Sequence, residues 1–165
     1  MRDLIVLAGS DPRLESEAES GRDHFLHFSA PPDGGRVALY GPYLDLPPGN
    51  FRVELAFSVT KRTPGPVKIE LCHRGASVIL YRRTCFDWEL GPGLIQIAQS
   101  FERGVEGLEV RLMVPPGFAG AIHQLSVVQL NRHTLGRGAG PTGDVLPGFR
   151  TIDELGDWPP RGGRG

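Results

Sequence analysis

The sequence predicts an all-β fold, an antiparallel sandwich of the jelly-roll type with about eight strands, and three observations predict it. First, Phe51, Val53, Leu55, Phe57 and Val59 alternate without a break with Arg52, Glu54, Ala56, Ser58 and Thr60. A period of two is the mark of a strand with one face in a core and one face wet. Second, turn chemistry recurs at short intervals: Pro31-Pro32-Asp33-Gly34-Gly35, Pro47-Pro48-Gly49-Asn50, Pro64-Gly65-Pro66, Gly91-Pro92-Gly93 and Pro115-Pro116-Gly117. Third, no segment carries a strong helical period. Gly 23 and Pro 15 in 165 residues fit many turns between short strands.

Taken in order, residues 1–23 open with Leu4–Ala8, a short apolar strand. An acidic, serine-rich stretch (Glu15, Ser16, Glu17, Glu19, Ser20) follows and reads as a solvated loop or a loosely held arm. Residues 24–130 form the domain, with strands expected at 24–30, 36–40, 50–60, 66–73, 76–82, 94–101, 107–114 and 120–130, and a weaker one at 84–90. Within it Val67, Ile69 and Leu71 alternate with Lys68, Glu70 and Cys72, and Leu108, Val110, Leu112 and Val114 with Glu109, Arg111 and Met113. Around eight short strands in one domain indicate a sandwich. Residues 131–165 are a tail with nine glycines and four prolines in 35 residues. Its one local signal is Thr151-x-x-Glu154, a capping box for a single helical turn.

The segment from Gly41 to Val53 also carries a resemblance. Gly41, Pro42, Tyr43, Leu46, Pro47, Gly49 and Val53 resemble the G-P-Y-x-x-L-P-x-G-x-(Tyr/Phe)-x-V entry strand of non-catalytic β-sandwich domains found beside bacterial polysaccharide-handling proteins. More loosely, the segment is similar to the aliphatic-x-x-Gly-x-Tyr-x-aliphatic strand of galactose-binding-like carbohydrate-binding modules. Gly107–Leu112 resembles a later strand of such domains. The resemblance implies a module that recognises a bacterial surface polysaccharide, and it extends to such modules mounted as spikes on phage-like particles.

Composition narrows the partners. A net charge of -1 leaves no electrostatic footprint for nucleic acid. No apolar run approaches the ~20 residues of a membrane span. The run Leu4–Ala8 is too short for a signal-peptide core, so synthesis in the cytoplasm is expected, with any release occurring as part of a particle. Cys72 and Cys85 suit a reducing compartment, and a disulfide between neighbouring strands stays open at this stage. The histidines (His24, His27, His73, His123, His133) and cysteines have no zinc-ligand spacing. No cofactor is expected. A loop calcium, which related modules often hold, would have Asp33, Asp45 and Asp87 as its hard ligands, but they do not cluster.

An enzyme is not expected. Asp87 and Glu89 lie two apart on one strand, whereas glycoside hydrolysis needs carboxylates opposed across a sugar. There is no Gly-x-Ser-x-Gly elbow and no phosphate loop. A sugar-binding site is better served: an aromatic ring stacks on the apolar face of a sugar, and flanking charged or amide groups bind its hydroxyls. Tyr40, Tyr43, Tyr81, Phe86 and Trp88 are the candidate rings. Arg52, Glu54, Glu109 and Arg111 lie on polar strand faces where they could form a patch, or pair with one another as ordinary surface ions. The favoured set is Tyr43 and Trp88 with Glu109 and Arg111.

The second function class is a structural or adaptor subunit, a spike or decoration protein of a phage-like particle. In it the tails, including Leu146, Phe149 and Trp158, contact other protein subunits, and Leu4–Leu7 adds a strand to a neighbour's sheet. Ordering such tails costs roughly 1–2 kcal/mol per residue in backbone entropy. Both classes lead to the expectation of a homo-oligomer or multi-protein particle.

Overall fold

A computed structural model describes residues 4–75, 77–86, 90 and 93–130. They form eleven strands: β1 (Leu4–Ala8), β2 (Glu19–Arg22), β3 (Leu26–Ser29), β4 (Arg36–Leu39), β5 (Pro42–Leu46), β6 (Gly49–Lys61), β7 (Pro66–His73), β8 (Val78–Phe86), β9 (Leu94–Phe101), β10 (Val105–Val114) and β11 (Ala119–Leu130). One sheet runs β2-β3-β11-β6-β9, with β1 also on β11; the other runs β4-β10-β7-β8, with β5 also on β10. All pairings are antiparallel. The fold is therefore the antiparallel β-sandwich that the alternation predicts.

The alternating run becomes β6, an inner strand paired with β11 and β9. Phe51, Val53, Leu55 and Phe57 are buried, and Val59 packs against them at the margin of the core. From the facing sheet Val67, Ile69 and Leu71 of β7 and Leu108, Val110 and Leu112 of β10 fill the other half. At about 25 cal/mol per Å² of apolar surface removed from water, this interdigitated layer is the main favourable term in folding.

Three segments differ from expectation. Residues 9–23 are not a solvated loop: Leu14 is fully buried and Ala18 nearly so. Glu15 and Tyr40 exchange both backbone hydrogen bonds at 3.0 and 2.9 Å. The Glu17 amide donates to the Val37 carbonyl at 2.9 Å, and the Val37 amide donates to Glu17 Oε2 at 3.0 Å. The acidic stretch thus covers the edge of β4, which would otherwise present open backbone groups. β5 is not among the strands expected from alternation; Pro42 is its first residue, where a missing N–H costs nothing. Finally, the strands expected at 76–82 and 84–90 are one strand, β8, because Arg82, Arg83 and Thr84 continue its pairing with β7.

Cys72 and Cys85 are thiols. Val67 pairs with Cys85 and Cys72 with Ile79, which sets the two cysteines about five residues apart along the ladder. That is roughly 16 Å, far beyond disulfide reach.

Candidate functional site

The side chains that alternate away from the core on β7 and β10 share the outer face of the five-stranded sheet. Arg111 lies opposite Glu70, and Met113 opposite Lys68. On β8, Arg82 lies opposite Glu70 and Thr84 opposite Lys68. On the other flank Met113 neighbours Val37, and Glu109 neighbours Pro42 at the start of β5.

Tyr43 stands at one end of this face. It is 48 % exposed and holds φ 64, a conformation uncommon for a bulky residue and one the surroundings must impose. Gly41 supplies the constraint. It has φ +101, and a Cβ there would collide with the carbonyl oxygen of Arg13 in the arm. Its own carbonyl accepts the Val110 amide at 2.7 Å. Partial desolvation, then the carboxylates of Glu109 and Glu15, push the Tyr43 hydroxyl pKa up, with Arg111 opposing. In the ladder, Tyr43 follows Pro42, the partner of Glu109 on β10, and Glu109 is in turn paired with Arg111.

Glu109 is 4 % exposed. Burial raises its carboxyl pKa, and the nearby Arg111 and the Cys72 thiol partly offset this. Arg111 Nε lies 3.4 Å from Glu109 Oε1. The contact is an ion pair without a hydrogen bond, so this buried Nε has no hydrogen-bond partner among the described residues. A guanidinium carries five N–H donors; the Nε of Arg111 is desolvated and without a hydrogen bond among the described residues, as is that of Arg52 on the other sheet. Next to it, Arg82 Nε donates to Glu70 Oε1 at 2.7 Å, and Glu70 is nearly buried. The face is a lattice of paired charges around a donor-rich centre.

At the far end, Val37, Met113, Pro66, Pro115, Arg36 and Lys68 line most of a shallow groove of about 380 Å³, with Glu17 at its rim. Phe86, 50 % exposed, lies beyond it opposite Pro66.

Of the predicted site residues, Tyr43, Glu109 and Arg111 come together, whereas Trp88, like Asp87 and Glu89, lies outside the described residues. Arg52 and Glu54 do not join them. They sit on the outer face of the six-stranded sheet, across the sandwich, where Arg52 Nε approaches Glu54 Oε1 at 2.7 Å and Gln96 Nε2 donates to Glu54 Oε1 at 3.0 Å. Tyr81 packs against the core. Tyr40 is half-buried, its hydroxyl pKa raised by desolvation and then by Glu15. Asp45 Oδ1 accepts the Gly107 amide at 2.8 Å and Asp33 lies 4.0 Å from Arg36. Among the described residues no three His, Cys, Asp or Glu side chains converge as metal ligands.

Sequence reasoning did not single out Glu70, Lys68, Arg82 and Met113 as site residues. Alternation places Lys68 and Glu70 on the polar face of β7, but only the pairing of β7 with β10 and β8 brings them beside Arg111, and that pairing has no local signal.

No family model and no curated protein matches the chain. Among solved structures it is similar to a family two carbohydrate esterase from Cellvibrio japonicus (12 % identity, TM-score 0.49), covering 79 % of this chain but only 35 % of that one. It is also similar to the C-terminal family 6 carbohydrate-binding module of a marine laminarinase from Zobellia galactanivorans (11 % identity, TM-score 0.46; 77 % of this chain and 100 % of that one). A third is a family 61 carbohydrate-binding module in complex with β-1,4-galactotriose (12 % identity, TM-score 0.41; 77 % and 88 % covered). At these values no ligand and no site residue is carried over to this chain.

Proposed function

We propose that this protein is a non-catalytic carbohydrate-binding β-sandwich whose ligand, a bacterial surface polysaccharide, lies across the outer face of the five-stranded sheet. The observation that carries the reading is the half-exposed Tyr43 ring on the same face as Arg111, a quarter of whose side chain reaches solvent. An exposed ring offers a stacking surface, and the solvent-facing N–H groups of the guanidinium, held in place by the buried Glu109 carboxylate, offer donors for sugar hydroxyls. From Glu109 to Met113 the face extends four residues of β10, about 13 Å, room for more than two sugar rings. Each contact is individually modest, so a single module binds weakly and gains from repetition in an oligomer.

Affinity electrophoresis against capsular and exopolysaccharides tests this directly. Retarded migration with no change in polymer length is the expected result. Shortening or deacylation of the polymer would instead make the protein an enzyme.

A second reading, a structural or adaptor subunit such as a spike or decoration protein of a phage-like particle, has one observation in its favour. The edge strand β1 exposes Leu4 and Val6, 58 % and 49 % accessible, while its only partner among the described strands is β11. The tail segments on which the reading also draws (131–165, with Leu146, Phe149 and Trp158) lie outside the described residues. Size-exclusion chromatography with light scattering of the full chain and of a 1–130 truncation tests it: an assembly that the truncation dissolves supports the adaptor, and a monomer in both cases removes it.

A further inference from the structure

We propose that the groove at the Met113 end of this face is an anionic subsite, taking the carboxylate or sulfate of an acidic sugar unit; this rests on the carbohydrate reading above. The argument is one of charge bookkeeping on a single surface. Arg82 is matched by Glu70 at 2.7 Å, and Arg111 by Glu109 at 3.4 Å. Among the described residues the ion-pair partner of Arg36 is Asp33, at 4.0 Å and highly exposed. Lys68, between Met113 and Thr84 in the ladder, has no ion-pair partner among the described residues. Two cations therefore line one groove beside a single carboxylate, Glu17, with apolar walls that include Val37, Met113, Pro66 and Pro115.

Glu17 also lines the groove; its Oε2 accepts the Val37 amide at 3.0 Å, which fixes the carboxylate at the β4 side, and the two cations of the lining outnumber this one anion. An acidic pyranose has the matching shape, an apolar ring face for Met113 and Val37 and a charged substituent at its edge for Lys68 and Arg36. A net charge of -1 over the whole chain gives polyanions no general attraction, so any preference for them has to be local.

The test is affinity electrophoresis with matched polymers: polygalacturonate and its carboxyl-reduced form, and a sulfated galactan and its desulfated form. The full chain is compared with Lys68→Gln, Tyr43→Ala and, as a control for total charge, Lys61→Gln at the distant end of β6. The expected result is about two- to fivefold tighter binding of a charged polymer than of its neutral counterpart. That preference is lost in Lys68→Gln, which still binds the neutral form, and kept in Lys61→Gln; Tyr43→Ala weakens both forms. Whichever pair shows the preference identifies the anionic group. Equal binding of charged and neutral forms, or a preference that survives Lys68→Gln, overturns the anionic subsite and leaves the carbohydrate reading standing. Binding of none of the four polymers by a chain that does bind a capsular polysaccharide or exopolysaccharide overturns the anionic subsite alone; binding of neither these four nor any capsular polysaccharide or exopolysaccharide overturns both.

Discussion

The Gly41 carbonyl accepts the Val110 amide at 2.7 Å, and this one bond joins the entry of β5 to β10 in the register that sets Tyr43 beside Glu109. The arm closes the arrangement from the other side, with the Arg13 carbonyl where a side chain on residue 41 would have to go. Gly41 is thus required twice, by its φ of +101 and by close backbone approach.

Gly41→Ala is accordingly expected to destabilise the fold by roughly 1–3 kcal/mol, the range for a strained backbone position. It should also weaken glycan binding by displacing Tyr43. Chemical denaturation and electrophoretic titration of the same sample check both effects. A variant of unchanged stability would show that the arm does not pack on the turn.

The core makes a simpler demand. Phe57 is 4 % exposed on the inner face of β6, so Phe57→Ala should cost on the order of 3–5 kcal/mol through lost burial and the cavity left behind. A cost under about 1 kcal/mol in urea unfolding would put that face outside the core and refute the register.

Burial pushes the Cys72 thiol up to about 11 from its ordinary 9.0, with Glu109 adding to the shift and Arg111 opposing it. Both cysteines are buried, so neither should react with iodoacetamide at pH 8 until the protein unfolds. The sign of the linkage follows. The unfolded thiol loses its proton first, so the contribution from keeping it neutral is intact below about pH 9 and is lost as pH rises toward 11. Cys72→Ala should flatten that alkaline decline in melting temperature; an identical decline in the variant would mean that Cys72 is not desolvated.

Much of the fold was legible because alternation is local. Phe51 to Phe57, Val67 to Leu71 and Leu108 to Leu112 announce their buried faces two residues at a time, and those faces meet in the core. What was not legible depended on partners distant in sequence. Glu15 and Glu17 look like solvated charge until β4 offers them an edge to cover. The five residues of β5 are too few to announce a face by alternation, and only their pairing with β10 makes them a strand. The candidate site divides the same way. The aromatic ring of Tyr43 and the alternation of Glu109 and Arg111 indicated three of its members, and pairing between β5 and β10 put them on one sheet. Arg52 and Glu54 alternate just as cleanly but lie across the sandwich, because period two specifies a face without saying which sheet it belongs to.

The central claim is that one face of one sheet binds glycan, and calorimetric titration of a bound polysaccharide's oligomers into paired variants tests it most directly. Tyr43→Ala removes the ring on the outer face of the five-stranded sheet; Arg52→Ala alters the outer face of the other. The predicted result is a loss of roughly three- to tenfold in affinity for Tyr43→Ala, the scale of one aromatic stacking contact, with Arg52→Ala indistinguishable from the parent. Unchanged binding by Tyr43→Ala together with a loss in Arg52→Ala would place the ligand on the opposite sheet and contradict the account.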